Sequence, residues 1–119
     1  MLPVTIKLPW PSTKLSPNVR VHWAVLAKAK KAYKEECIYT AKAQGLRRIN
    51  ETSLHAHLVF YPPTKRAYDI DNAISRCKSL IDAIRDVVAV DDSLWSMSFA
   101  KGGTGGYVEV TLSKPSVSV

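Results

Sequence analysis

The order of hydrophobic patterns predicts an α+β fold, a single small domain of the form β-α-β-α-β-β in which two helices pack on a mixed sheet. Three observations carry that expectation. Four short stretches, "PVTIKLP", "SLHAHLVFY", "LWSMSFAK" and "YVEVTLS", alternate apolar and polar residues with the period of a strand. Two longer stretches repeat their apolar residues at helical spacing, and strands and helices alternate before two strands follow in succession.

In the first strand Val4, Ile6 and Leu8 share a face, and Pro9, Pro11 and Pro17 then force an irregular loop. From about His22 to Gln44 the spacing of Trp23, Leu26, Tyr33, Cys37 and Ala41 suits a long amphipathic helix, with Gly45 as its stop. The lysines of this helix, Lys28, Lys30, Lys31, Lys34 and Lys42, cover much of its circumference. Pro62 and Pro63 end the second strand. "NAISRCKSLIDAIRDVV" is the second helix, with Ile74, Cys77, Ile81, Ile84 and Val88 on one stripe. The last two strands flank "GGTGG" and are expected to pair as an antiparallel hairpin. With 119 residues and 46% hydrophobic content, the chain has enough apolar surface for one core without disulfide or metal. Residues 1–119 read as one domain, with 113–119 a loose tail.

Composition narrows the function classes. Cys37 and Cys77 lie inside helical patterns with no CxxC spacing and no His/Cys cluster, so they read as buried free thiols of a reducing compartment. The N-terminus lacks a long apolar stretch and a small-residue cleavage site, and no run of about 18 apolar residues occurs anywhere. The expectation is a soluble cytoplasmic protein with no membrane partner.

The net charge is +7, yet it is unevenly spread: residues 1–50 hold ten Lys/Arg against Glu35 and Glu36, and the remainder holds seven against eight acids. All six aspartates, Asp69, Asp71, Asp82, Asp86, Asp91 and Asp92, fall between residues 66 and 93. A basic half beside an acidic cluster fits a polyanion partner plus a cation; alternatively the lysines solvate a helix face. Asp69 and Asp71 precede the second helix and would share a face if the segment between them is extended. On the helix, Lys78 falls seven residues beyond Asp71 on a stripe with Ser75 and Asp82. Carboxylates so grouped suit a hard divalent cation such as Mg²⁺ with room left for a phosphate, and Lys65, Arg66 and Lys78 are placed in sequence to neutralise it. The bland alternative is that these aspartates cap the helix and populate turns.

Other motifs fit less well. An EF-hand aligned on Asp69 would need Gly where Ile74 stands and Glu where Leu80 stands. "GGTGG" lacks the GK[ST] and following helix of a phosphate loop and reads as a flexible turn. His55 and His57 alternate on a strand and read as its polar face; His22 also remains a candidate ligand or base. Trp10, Trp23 and Trp95 are read as packing residues rather than base-stacking platforms. Asn72 either orients a carboxylate or caps the helix.

"LPWPSTKLSPN", the basic helix, and then "YPPTKRAYDIDN", "KSLIDAI" and "VDDS", in that order over roughly residues 4–112, resemble the RusA-type Holliday junction resolvases, small endodeoxyribonucleases of bacteria and their phages. The resemblance implies a RusA-like fold and hydrolysis of four-way DNA junctions by paired symmetric nicks. It implies a site in which Asp69, Asp71 and Asp92 bind Mg²⁺ or Mn²⁺ and Lys78 is also needed for cleavage. It implies a homodimer too, matching the two-fold symmetry of a junction. DNA-binding residues would be Lys65 and Arg66 with Lys28, Lys30, Lys31 and Lys34. One departure from the family pattern is that its lysine stands four residues after the second Asp, where this chain has Ser75; reaching Lys78 takes three extra residues, close to one helical turn. The competing expectations are a non-catalytic nucleic-acid-binding relative with structural aspartates, and a nuclease acting on other branched structures or on RNA.

Overall fold

A computed structural model describes residues 2–15 and 22–115. Strand β1 (Val4–Pro9) leads through a single 3₁₀ turn (Thr13–Leu15) towards helix α1 (Trp23–Ala43). Strand β2 (Leu54–Tyr61) follows, then α2 (Ile70–Ser75), α3 (Lys78–Val88), a 3₁₀ turn (Asp92–Leu94), β3 (Trp95–Lys101) and β4 (Tyr107–Ser113). Pro17 and its neighbours, at the end of the expected proline loop, and residues 116–119 of the expected tail lie outside the described residues; Ser113 closes β4.

The four strands form one mixed sheet of order β1-β4-β2-β3. β4 runs antiparallel to both β1 and β2, whereas β2 and β3 are parallel. A parallel pair needs a long crossover, and α2 with α3 supplies it. Every second residue is apolar and buried along the central strands: Leu54, Ala56, Leu58 and Phe60 on β2, and Val108, Val110 and Leu112 on β4. Ile6 and Leu8 of β1 extend that face, and Tyr33, Cys37 and Ala41 of α1 join Leu80, Ala83, Ile84, Val87 and Val88 of α3 in the same core. The opposite face carries Thr5, Thr111, His57 and Ser98 in one cross-strand row. This is the one-sided burial that gives strands their clean alternation.

Two expectations need correction. The last two strands are not a hairpin: β2 lies between them, and the glycine-rich connection crosses its end, where the Gly102, Gly105 and Gly106 amides donate to the Phe60, Pro62 and Tyr61 carbonyls. A side chain at Gly102 would run into the Tyr61 ring, and Gly106 has φ +90°, so glycine fits this close passage. Period-two alternation shows that a strand has a buried face but does not say which strand it pairs with. The second helix is also not continuous. At Arg76 and Cys77 the amides bond back three residues, to Ala73 and Ile74, and the four-residue ladder resumes with Ile81 to Cys77. The tight turn coincides with Arg76 being drawn inward, where its Nη1 donates to the Pro11 carbonyl at 3.3 Å and its guanidinium lies 5.7 Å from the Trp10 ring centre. No Gly or Pro marks this break; it coincides with the tertiary anchor of Arg76 and with the Ser75 hydroxyl donating back to the Asn72 carbonyl.

Edge strand β1 is tied to α1 by the residue that caps the helix's C-terminus, Gln44. Gln44 accepts from the Lys7 amide at 2.8 Å and donates to the Lys7 carbonyl at 2.6 Å, occupying backbone groups that an edge would otherwise leave open. Where α1 meets the α2–α3 turn, Cys37 and Cys77 are both buried and free, and burial pushes each thiol up to about 12. Thiolate is the reactive form, so both thiols should ignore Ellman's reagent at neutral pH and react together once guanidinium unfolds the chain. Rapid labelling of either in the folded protein would contradict this packing.

Candidate active site

The crossover that joins β2 to β3 carries all six aspartates, and the structure gives them distinct jobs. Asp69 is the N-cap of α2: its backbone is extended, with φ −90° and ψ 125°, and its carboxylate accepts from the Asp71 amide at 3.1 Å. Asp71 already lies in the first turn of the helix. The pair is therefore linked by a capping bond rather than by one pleat of an extended strand. Both side chains are exposed. The cap belongs to Asp69 and not to Asn72, whose backbone carbonyl accepts from the Ser75 hydroxyl at 2.7 Å.

The other end of the crossover gathers charge of both signs. Lys78 Nζ donates to Asp82 Oδ1 at 2.9 Å and stands 3.6 Å from Asp92 Oδ2. Arg85 Nη1 is 3.3 Å from the same Asp82 oxygen and 3.7 Å from the same Asp92 oxygen. Two carboxylates and two cations thus form a closed group along one face of α3 and the turn that follows it. Arg85 also contacts Asp86, which pairs with Lys34 of α1 at 2.8 Å. The hydrogen bond to Asp82 raises the Lys78 pKa above the usual lysine value, assisted by the negative charges of Asp82 and Asp92. The Lys34 contact lowers Asp86 below the usual carboxylate value.

The neighbouring pair at the end of α3 divides its labour. Asp91 caps the 3₁₀ turn, accepting from the Ser93 amide at 3.0 Å, while Asp92 faces the cluster. Asp92 reaches Lys78 because Ala89 adopts a left-handed conformation, φ 61°, that ends α3 and turns the chain back. Of the four residues singled out for catalysis, Asp69 and Asp71 are linked by the capping bond, and Lys78 stands beside Asp92. Among the described residues, no three Asp, Glu, His or Cys side chains stand in an arrangement that could hold a metal ion. The donors themselves are solvent-accessible aspartate oxygens, the type that hard divalent cations take, and the Asp69 cap uses only one of its two oxygens.

Positive charge flanks the crossover on two sides. Lys28, Lys30 and Lys31 are exposed on α1, whereas Lys34 is held by Asp86. Lys65 and Arg66, exposed after the Pro-Pro turn, line a concavity of about 350 Å³ with Lys101 and the Gly102–Gly103 backbone. Lys101 is anchored there, donating to the Tyr68 carbonyl at 3.0 Å. Sequence reasoning missed Arg85 and Arg76. Arg85 stands seven residues after Lys78 and was findable on the stripe already holding Asp82. Arg76 had no such signal, because arginine is seldom buried.

The remaining candidates fall into packing or hydrogen-bonding roles. His55 and His57 lie on the polar sheet face, where Ser98 Oγ bridges them at 2.8 and 2.6 Å. His22 Nδ1 accepts from the Ala24 amide at the start of α1. Trp10 packs edge-on against Phe60 and Tyr68, and Trp95 donates to the Val90 carbonyl. Trp23 differs, being 75% exposed at the start of α1. No described helix is long and apolar enough to cross a membrane.

Fold and charge together define a small α+β domain with a mixed acid–lysine cluster on the helical crossover of its sheet and basic surface on either side. Residues 9–113 match the family described as Endodeoxyribonuclease RusA, and the chain belongs to that family. A protein of Xylella fastidiosa (strain Temecula1 / ATCC 700964), named there only as an uncharacterized protein, is 42% identical over 91 residues. The match takes in 74% of this chain and 60% of that relative's length.

Proposed function

We propose that this protein is a metal-dependent, structure-selective endodeoxyribonuclease that resolves four-way DNA junctions by paired nicks. The observation that carries the reading is the family match over residues 9–113, a span that includes the aspartate-bearing crossover between β2 and β3. Asp69, Asp71 and Asp92 would hold Mg²⁺ or Mn²⁺. Such a cation lowers the pKa of a bound water and offsets the charge that grows on a phosphodiester under attack.

The chain's own residues supply the rest. Lys78, held as a cation by Asp82, keeps its proton at neutral pH, so it serves as a positive charge beside the scissile phosphate rather than as a base. Asp82 and Arg85 fix where that ammonium sits. Lys65, Arg66 and the exposed lysines of α1 grip the backbone of the junction arms, giving affinity that falls steeply with salt. A two-fold junction is cut symmetrically by a two-fold pair of sites, so the working form is a homodimer.

A second reading has its own support: Asp69 and Asp91 act as caps, and Asp82, Asp86 and Asp92 are ion-paired, which is what structural aspartates do. On that reading the protein binds DNA without cutting it. Metal removal separates the two. Junction cleavage is expected in Mg²⁺ or Mn²⁺ and lost in EDTA, with junction binding retained in EDTA by gel shift. Cutting that persists in EDTA overturns the metal-dependent mechanism; binding with no cutting in either metal favours the second reading.

A further inference from the structure

We propose that the cleft between α1, the Thr13–Leu15 turn and the α2–α3 break is an anion pocket that seats a phosphodiester phosphate of the substrate, with Arg76 as its buried positive charge. This rests on the nuclease reading for the source of the phosphate, and on Arg76 and its surroundings for the pocket.

Arg76 is only 6% exposed, yet no carboxylate pairs with it among the described residues. Its protein contacts are the Pro11 carbonyl and the face of Trp10, both of which leave its charge uncancelled. Its Nε is buried with no hydrogen-bond partner among the described residues. Buried arginines are ordinarily paired with a carboxylate or a bound anion, because an uncompensated charge away from water is costly. No carboxylate among the described residues supplies the counter-charge, which leaves the place open to an anion from outside the fold.

The surroundings fit an anion. Arg76 lines a concavity of about 240 Å³ whose other lining residues include Leu15, Lys30, Ser75, Lys78 and Ser79, and none of its lining residues is acidic. Lys30 has no ion-pair partner among the described residues, so two uncancelled cations line one cleft, with the Ser79 hydroxyl beside them; the Ser75 hydroxyl is already donated to the Asn72 carbonyl. The cleft also adjoins Lys78, so a phosphate seated there would lie next to the cluster that holds Asp92. Arg76 is thus a binding residue that places the backbone beside the site, and its inward position coincides with the tight turn at residues 76–77.

The test uses the full chain without metal or DNA, so it reads the pocket independently of nuclease activity. Thermal unfolding is followed while inorganic phosphate or dimethyl phosphate is titrated at constant ionic strength. Both anions are expected to raise the melting temperature saturably at low-millimolar concentration. Arg76→Met should abolish that response, and Lys30→Glu should abolish it too, by bringing a carboxylate to the cleft. Lys30→Gln should weaken binding about tenfold, the usual effect of losing one charged contact. Salt-dependence of junction binding by Lys30→Gln should also become shallower, by about 0.9 in log–log slope. Because Lys30 is exposed, its variants decide the matter even if Arg76→Met fails to fold. An unsaturable response, or one equal in the wild type and both Lys30 variants, would overturn the pocket. Binding of inorganic phosphate but not the diester would overturn the substrate assignment. A pocket that behaves as expected in a protein that never cuts DNA would leave the pocket standing and remove the nuclease reading.

Discussion

Asp71→Asn should lower junction cleavage by at least about 10²–10³-fold, the usual scale for losing one electrostatic contact at a reacting phosphate, while leaving junction binding and melting temperature close to those of the wild type. The reasoning is local. Asp71 is exposed, and the hydrogen bond it takes part in uses its backbone amide, which the substitution keeps. Removing the carboxylate charge therefore removes little of the fold. Single-turnover cleavage of a labelled junction, beside a gel shift and a thermal melt, separates the three quantities. An Asp71→Asn protein that cuts at the wild-type rate would show that this carboxylate caps and solvates only.

Phe60→Ala should cost about 3–5 kcal/mol of stability, the range for truncating a fully buried aromatic residue. Phe60 is wholly buried in β2, with Trp10 edge-on at 6.1 Å between ring centres and Phe99 stacked at 6.3 Å. Trp10 in turn packs against Tyr68 and underlies Arg76, so the cavity would open beneath the residues that set the entrance to α2. Phe60→Leu, which retains most of the volume, should cost less than the alanine variant. Urea unfolding of the three proteins checks the order, and a loss below about 1 kcal/mol for the alanine variant would contradict the packing described.

How much of this was legible beforehand depended on how local each feature is. Every strand and the long helix α1 could be read from periodicity, because one-sided burial writes itself into the alternation of residues such as Leu54, Ala56, Leu58 and Phe60. Strand order was not local. β4 takes a central position with Val108, Val110 and Leu112 fully buried, while β3 lies at the edge with mostly half-buried residues. The plain aliphatic alternation of "VEVTL" against the mixed "WSMSFAK" was the available hint, and the adjacency of the two strands pointed instead to a hairpin. The break at Arg76–Cys77 was illegible because the groups that anchor Arg76 there, the Pro11 carbonyl and the Trp10 ring, lie far away in sequence.

The same division runs through the candidate site. The i,i+4 relation of Lys78 and Asp82 was readable from helical spacing and is present as a salt bridge. The angular argument linking Asp71 to Lys78 was not sound, since it counted across a turn where the helix tightens. The approach of Asp92 to Lys78 depends on the left-handed turn at Ala89, and a sequence with no glycine there gives little warning of it.

The most direct test of the central claim is cleavage of a synthetic four-way junction, labelled on each strand in turn, beside a linear duplex of the same sequence in Mg²⁺. The account predicts paired nicks at symmetry-related positions in the junction, with little cutting of the duplex. Equal cutting of both substrates, or single unpaired nicks, would contradict it.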